Sequence, residues 1–369
     1  MIEPYLRDLA RAFLRLPDPR RKQGTRHKLP ALLLAYTAAL LCQCLHTAAA
    51  VEWLKHHAEH LDAFGLDHGA PSESTYCRLF AALDSKRFAK AIGRAVRAWL
   101  KLGAQLAMDG KTCRAAHVGE DGKPVHILAF VAAHSYECLQ AVPVGKKQNE
   151  ASAAQKLLPT LLHEHPSVAT VTGDALFLQR KICLAIRKAQ KHYLIKLKAN
   201  QKTQLTEAQR LLGRKRTPQY AFVQKNHGRI ETYAVFATNE IQGWFDWPGL
   251  KSVLRVEKHT QWMRRGKLVK QTVTNHYALT SLPADAPTLF SIYLGHWSIE
   301  TSFAIKDNAL MEDRHAVRSP VTALILSRLR ATVVSILAYC RGKDGFAKTL
   351  RAFARDPAPI WRALVNPNP

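Results

Sequence analysis

The apolar pattern of this chain changes near residue 104, and this change limits the fold more than any other feature of the sequence. Before residue 100, apolar residues recur at intervals of three and four, as at Phe88, Ile92 and Val96, which is the helical period. After residue 104, short runs typical of β-strands follow at positions 105–109, 125–131 and 138–144. The sequence therefore predicts an all-helical N-terminal domain followed by a domain of different architecture.

The second part of the chain alternates strand and helix patterns. After the three strands come a helix at 150–162, a strand at 168–174, a helix at 178–189 and a strand at 192–198. This order predicts an α/β domain with a mixed sheet flanked by helices, as in ribonuclease H-like folds. Short alternating runs at about 199–288 predict a β-rich insertion, and helical patterns resume at 291–308 and 321–339.

We therefore predict three parts: a helical domain at residues 1–102, an RNase H-like domain at 103–340 that carries the insertion, and a C-terminal tail at 341–369. Within the helical domain, Ser72 or Ser74 is expected to cap a helix that begins after Pro71. That helix could read DNA as part of a helix-turn-helix or simply pack on its neighbours, and packing is the favoured interpretation.

The stretch Leu29–Val51 carries no charged residue and is long enough to span a bilayer. The alanines at 38, 39, 48, 49 and 50 and the polar residues Gln43, His46 and Thr47 make it only weakly apolar. We therefore favour a buried helix, or a pair of helices, over a membrane span, and we expect no membrane association.

The charge balance points to a polyanion as partner. The chain has 54 Lys and Arg against 28 Asp and Glu, a formal net charge of +26, which favours DNA or RNA over a merely basic protein. The run Arg187–Arg229 contains only one acid, Glu207, and we interpret it as a surface that follows a nucleic-acid backbone. The seven cysteines include no C-x-x-C pair, so a disulfide framework and a zinc finger are both disfavoured and a reducing, cytoplasmic setting is expected.

Two acids stand where predicted strands end. Asp109 stands at the end of an apolar strand and precedes Gly110. Asp174 also stands at the end of an apolar strand, directly after Gly173. Carboxylates at neighbouring strand ends can bind Mg²⁺, which takes one or two protein carboxylates and leaves room for water and phosphate oxygens. The alternative is that each Asp only begins a turn. A basic, nucleic-acid-binding chain gains little from acids aimed at phosphates unless metal ions lie between them, and this favours the metal site.

The third candidate acid is Glu300, in the predicted helix 291–308. Residues three, four and seven apart share a helix face, so Tyr293, His296 and Asp307 are expected beside Glu300. A face of this composition is unusual for packing alone, although a surface Glu paired with nearby cations remains an alternative.

A set of ordered motifs runs along the chain. The N-terminal part contains Asp18-Pro19-Arg20, the segment 26–29 and the segment 69–80. The second part contains the following motifs: Met108-Asp109-Gly110-Lys111-Thr112, Lys147-Gln148-Asn149-Glu150, Thr172-Gly173-Asp174-Ala175, Leu197-Lys198-Ala199-Asn200-Gln201, Gly228-Arg229-Ile230-Glu231 and His296-Trp297-Ser298-Ile299-Glu300. As a set, these motifs resemble those of the DDE transposases of bacterial insertion sequences, in particular the H-repeat-associated group.

This resemblance implies an RNase H-like catalytic domain, a requirement for divalent metal as two Mg²⁺ or Mn²⁺ ions, and Asp109, Asp174 and Glu300 as catalytic residues and metal ligands. The expected function is cleavage of DNA at the ends of an insertion sequence and strand transfer into target DNA, by a homodimer on DNA in the cytoplasm, associated with the nucleoid. The alternatives are a catalytically silent DNA-binding derivative and a nuclease without strand transfer. The residues that we expect to contact DNA are Lys111, Lys147, Lys198, Arg229, Tyr293 and His296.

The sequence departs from the family pattern near Glu300. Leu294 stands where the resemblance predicts an arginine, and Thr301 stands where it predicts an asparagine. We expect Leu294 to mark a lost phosphate contact, with a place in the protein core as the alternative.

Overall fold

The computed structural model describes residues 2–21, 25–117, 124–145, 149–213, 217–226, 228–243, 245–314, 317 and 319–365. Lys147, one of the predicted DNA contacts, lies outside these described residues.

Helices form the N-terminal and C-terminal parts of the described chain, and strands and helices follow one another between them. The helices are α1 Glu3–Leu14, α2 Leu29–Leu41, α3 Thr47–His56, α4 Glu73–Ala82, α5 Ser85–Arg97, α6 Glu150–Glu164, α7 Arg180–Lys188, α8 Lys202–Gly213, α9 Ala286–Gly295, α10 Trp297–Asn308, α11 Pro320–Cys340, α12 Phe346–Arg355 and α13 Ala358–Val365. The strands are β1 Ala104–His117, β2 Pro124–Ala132, β3 Cys138–Pro143, β4 Val168–Gly173, β5 His192–Leu197, β6 Tyr220–Asn226, β7 Arg229–Thr238, β8 Ser252–Arg264 and β9 Lys267–Thr280.

Contacts group the chain into two compact units. The first unit comprises residues 1–100, 110–144 and 299–369, and the second comprises 101–109 and 145–298. The prediction divided the chain into three consecutive segments and placed the residues of α11 in the catalytic domain. In the structure α11 packs against α4 and α5 of the N-terminal region, because its apolar surface is buried there along most of its length.

The charge-free stretch at 29–51 forms a pair of helices, as the favoured interpretation predicted. Nearly every residue of α2 is buried, which explains its lack of a polar face. The helix that follows Pro71 is α4; the Ser72 hydroxyl caps it by accepting a hydrogen bond from the Thr75 N–H, and Tyr76 is fully buried.

Among the described helices, α11 alone is long and apolar enough to cross a membrane, and 72% of its most apolar 18-residue window is buried inside the protein. Its two interior arginines, Arg328 and Arg330, are also buried. Arg328 donates hydrogen bonds to the Leu139 carbonyl and to the Cys138 sulfur of β3, and each of these bonds is 3.0 Å long. These contacts are those of a core helix.

A buried cluster of charges joins β1 to the segment after α10 within the first unit. The Lys111 ammonium contacts the Asp307 carboxylate and lies 2.9 Å from Glu312 and 3.7 Å from Asp313. Lys306 lies 3.2 Å from Glu312. Burial opposes ionisation of Glu312, but Lys306 and Lys111 outweigh this effect and lower its pKa to about 2. The cluster is therefore a set of buried, compensated charges.

The second unit is built on a sheet with the strand order β1-β4-β5-β9-β8-β7-β6. β1, β4 and β5 are parallel, whereas β9 pairs antiparallel with β5 and begins an antiparallel meander. In the first unit, the later part of β1 lies next to β2, and β2 pairs antiparallel with β3. The predicted mixed sheet flanked by helices is confirmed, and the order 3-2-1 followed by 1-4-5 is that of ribonuclease H-like sheets.

The insertion is β-rich, as predicted. It begins with a helix, α8, and its four strands extend the sheet of the second unit through β9. One face of these strands packs against α9 in a core that includes Phe290, Tyr293, Tyr233 and Val256. The helices α12 and α13 near the C-terminus also have no counterpart in the predicted elements.

Substitution of Lys111 by Met should destabilise the protein by about 3–5 kcal/mol, because it leaves Glu312 buried with one cation fewer. Urea unfolding followed by circular dichroism measures this change. The control is Lys348→Met, which removes an exposed pair with Asp344 and should cost at most about 1 kcal/mol. Equal effects of the two substitutions would show that the buried cluster contributes no more than a surface pair.

Candidate active site

The register of the parallel strands aligns three charged residues of the second unit. Met108 pairs with Gly173, and Gly173 pairs with Ile195. The next residue on each strand is Asp109, Asp174 and Lys196, in that order. Asp174 keeps an extended backbone, so the two acids follow paired positions on strands that are about 4.8 Å apart. The structure therefore brings Asp109 and Asp174 together at one edge of β1 and β4.

One detail of the prediction for Asp109 was wrong. The strand β1 does not end there but continues to His117. What ends at Met108 is the pairing of β1 with β4, and the chain then continues as the partner of β2. Asp174, in contrast, directly follows the last residue of β4, as predicted.

Asp174 is surrounded by basic groups. The Lys196 ammonium lies 2.7 Å from its Oδ1, the His296 Nε2 lies 3.6 Å from the same oxygen, and the Lys198 ammonium lies 3.7 Å from its Oδ2. The His296 ring, followed by the two lysines, outweighs the opposing effect of burial and holds the pKa of this carboxyl well below its usual range. Asp174 is therefore ionised at neutral pH.

The turn after Asp174 is held by two side chains of the Lys198–Gln201 segment. The Asn200 amide donates a hydrogen bond of 3.0 Å to the Ala175 carbonyl, and the Gln201 amide donates one of 2.7 Å to the Leu178 carbonyl. These two polar side chains brace the segment that follows the acid.

Glu300 lies in the first turn of α10 and is exposed. The predicted helix 291–308 is two helices, which are interrupted at His296. Tyr293 and His296 are buried, and the polar face that we predicted for them with Glu300 stays a prediction. Glu300 belongs to the first unit, whereas Asp109 and Asp174 belong to the second, and the grouping of all three acids stays a prediction.

The predicted DNA contacts fall into two groups. Lys111 is buried among carboxylates, and Tyr293 and His296 are buried in the second unit. The structure contradicts a phosphate contact for these three, because their polar groups are enclosed by protein. Lys198, with 63% of its side chain exposed, and the half-buried Arg229 stay accessible.

The basic run Arg187–Arg229 is not a uniform surface. Arg187 donates to the Lys191 carbonyl, Arg210 pairs with Glu207, and Lys196 contacts Asp174. Lys196 is a site residue that sequence reasoning missed. Its signal was a lysine inside the apolar strand His192–Leu197, since a charge in such a strand needs a partner.

The residues at this edge have the donor chemistry that a divalent ion requires. Asp109 and Asp174 supply hard carboxylate oxygens, and Asp174 is in the ionised form that binds metal. No group of three or more His, Cys, Asp or Glu side chains is arranged as a ready set of ligands among the described residues. Two carboxylates are nevertheless enough for Mg²⁺, which keeps much of its water.

Comparisons with known proteins agree with this architecture. Residues 10–96 match the model of the DDE_Tnp_1-associated domain, and residues 102–336 match that of the transposase DDE domain. A protein of Xanthobacter autotrophicus, uncharacterised and encoded in the dhlA 3′ region, is 31% identical over 268 residues, which cover 68% of this chain and 88% of that protein. YncI of Escherichia coli O157:H7, named as a candidate transposase, is 26% identical over 359 residues, covering 91% of this chain and 88% of YncI.

Among solved structures, the cryo-EM structure of the piggyBac transposase synaptic complex with hairpin DNA is similar at a TM-score of 0.48 and 11% identity, over 100% of this chain and 86% of that one. This likeness is too remote to add to the argument.

The fold and the family matches define the class, which is that of DNA transposases. The chain belongs to the DDE transposase family of bacterial insertion sequences and is a DDE-type enzyme. Enzymes of this family generally use divalent metal ions.

Leu294, the position where the family resemblance predicts arginine, packs half-buried against the core of α9 and the insertion strands. We therefore expect Leu294→Arg to destabilise the protein by about 1–3 kcal/mol. The control is Leu184→Arg at an exposed position of α7, where the effect should stay within about 0.5 kcal/mol. An unchanged melting temperature together with a steeper salt dependence of DNA binding would instead support a phosphate contact at position 294.

Proposed function

We propose that this transposase cleaves DNA at the ends of an insertion sequence and transfers the 3′ hydroxyl to target DNA, with Asp109, Asp174 and Glu300 as metal ligands. The observation that carries the proposal is the register that aligns Asp109 with Asp174 at the edge of the parallel strands. Family membership supports the third acid, because Glu300 ends the His296–Glu300 motif that resembles the family pattern.

Each group at the edge of the sheet has a separate task in this proposal. The carboxylates would hold divalent ions, Mg²⁺ or Mn²⁺ as a pair, and the bound ions would supply activation of the attacking oxygen and stabilisation of the leaving oxygen. Asn200 and Gln201 fix the turn that presents Asp174. Lys196 and Lys198 offset negative charge near the phosphates.

We propose further that two copies of the chain act together on DNA, because an insertion sequence has two ends that must be cut and joined. The net charge of +26 supports DNA as the main partner and a cytoplasmic, nucleoid-associated location. A DNA-binding protein without activity is the second candidate, and a nuclease without strand transfer is the third. An assay that follows both cleavage of element ends and their joining to a second DNA distinguishes the three.

Each of Asp109→Asn, Asp174→Asn and Glu300→Gln should lower Mg²⁺-dependent cleavage by more than about 100-fold while DNA binding is retained, because each removes a metal ligand rather than a phosphate contact. A gel assay with labelled element ends measures cleavage, and fluorescence anisotropy measures binding. Asp285→Asn, which lies before α9, is the matched control and should be active. Normal cleavage by one of the three variants would remove that residue from the site.

Lys198→Ala and Arg229→Ala should each weaken binding to element ends and to unrelated DNA by the same factor, because both residues are expected to contact phosphates. Each should also reduce the slope of log affinity against log salt by about 0.9. Lys348→Ala, which removes an exposed lysine of α12, is the control. Unchanged slopes for Lys198 and Arg229 would place them away from the bound DNA.

A further inference from the structure

A chain of polar side chains leads to Asp174 within the second unit. The Gln105 amide Nε2 lies 2.8 Å from the Ile292 carbonyl and 3.3 Å from the Thr172 hydroxyl. The Thr172 hydroxyl lies 3.1 Å from Nδ1 of His296. The opposite ring nitrogen, Nε2, lies 3.6 Å from Asp174 Oδ1.

One set of donor and acceptor roles satisfies all of these hydrogen bonds. The Gln105 amide nitrogen has two hydrogens, and it uses one on the Ile292 carbonyl and one on the Thr172 oxygen. The Thr172 hydroxyl accepts from Gln105 and has its own hydrogen available for His296 Nδ1. In the tautomer in which Nδ1 accepts that hydrogen, the ring hydrogen lies on Nε2, which faces Asp174.

The surroundings of this chain leave little freedom. Thr172 and His296 are 1% and 2% exposed, and His296 Nε2 makes no hydrogen bond of ordinary length among the described residues. A Cβ atom at Gly295 would lie 2.4 Å from the Gln105 side-chain oxygen. Glycine at 295 therefore makes room for Gln105, at the point where α9 ends and His296 follows.

We propose that Gln105, Thr172 and His296 form a positioning relay, which orients the Asp174 carboxylate for metal binding by presenting the N–H of His296 Nε2 to Oδ1. The proposal rests on the proposed function, in which Asp174 is a metal ligand. His296 is then a positioning residue of the second unit instead of the DNA contact predicted from the sequence.

The relay differs from the contact that Lys196 makes with the same oxygen. A lysine supplies charge through a flexible stem, whereas a ring held at its other nitrogen supplies a fixed direction. Groups that orient metal ligands typically contribute 10- to 100-fold to metal affinity, so loss of the relay should weaken metal binding by about that factor.

The first experiment measures the binding of Mn²⁺ to the full-length protein by electron paramagnetic resonance. Thr172→Val keeps the shape of the side chain but removes the hydroxyl, and it should raise the Mn²⁺ dissociation constant about 10- to 100-fold. Thr172→Ser keeps the hydroxyl and should bind as the wild type does. Thr170→Val changes a buried threonine two residues earlier on the same face of β4 and should also bind normally.

A second pair of variants tests which ring nitrogen is used and does not depend on the folding of Thr172→Val. His296→Gln places an amide nitrogen near the position of Nε2 and should keep most of the Mn²⁺ affinity. His296→Asn reaches only the position of Nδ1 and should lose it. The opposite order would overturn the assignment of Nε2 as the nitrogen that faces Asp174.

Asp174→Asn separates this inference from the proposed function. If Asp174→Asn lowers Mn²⁺ affinity and Thr172→Val stays within about twofold of the wild type, the relay is wrong and the metal site stands. If Asp174→Asn binds Mn²⁺ as tightly as the wild type does, Asp174 is not a ligand and both proposals fail. DNA binding should be retained in all variants, since Thr172 and His296 are buried and Asp174 is proposed to bind metal rather than phosphate.

Discussion

The parallel pairing of β1 with β4 is the constraint on which the candidate site depends. Its register runs from Gln105 opposite Thr170 to Met108 opposite Gly173, and it sets which side chains follow at the edge. A shift of one residue would turn Asp109 to the other face of the sheet, because side chains alternate along a strand. The same register places Gln105 and Thr172 on the face that carries Asp109 and Asp174. One set of backbone hydrogen bonds thus aligns both the acids and the residues that we propose to position them.

Lysine–carboxylate contacts occur in both units, but their exposure differs. Lys111 and Glu312 are each 5% exposed, within a cluster that has several charges of both signs. Asp174 is 36% exposed, and its partners Lys196 and Lys198 are 15% and 63% exposed. A fully enclosed cluster can stabilise only the fold that encloses it, whereas a half-exposed acid can exchange partners with ions from solution. Exposure therefore separates the structural charges from the candidate site more clearly than residue type does.

The sequence predicted the order of elements well because apolar periodicity depends on local burial. It located the strand before Asp174 and the helix that became α11, since each has an uninterrupted pattern. It failed where the extent of an element depends on residues that are close in space but distant along the chain. Nothing local shows that β1 continues past Asp109, because its partner there is β2. The break at His296 was equally hidden, and so was the neighbouring contact, in which Gly295 leaves room for Gln105, a residue far away along the chain.

The candidate site showed the same limit. Asp109 and Asp174 were accessible to sequence reasoning because each follows an apolar strand in a basic chain. Lys111 and His296 were assigned to DNA by their charge and motif, but charge alone does not distinguish a cation that faces phosphate from one that compensates a buried acid. Lys196 is informative in this respect. It is the register neighbour of Asp174, so β5 supplies a positive charge where β4 presents a negative one. In a chain that binds DNA, this pairing lowers the repulsion between the acid and the phosphates, and it favours the ionised form of Asp174, which is the form that can bind a divalent cation.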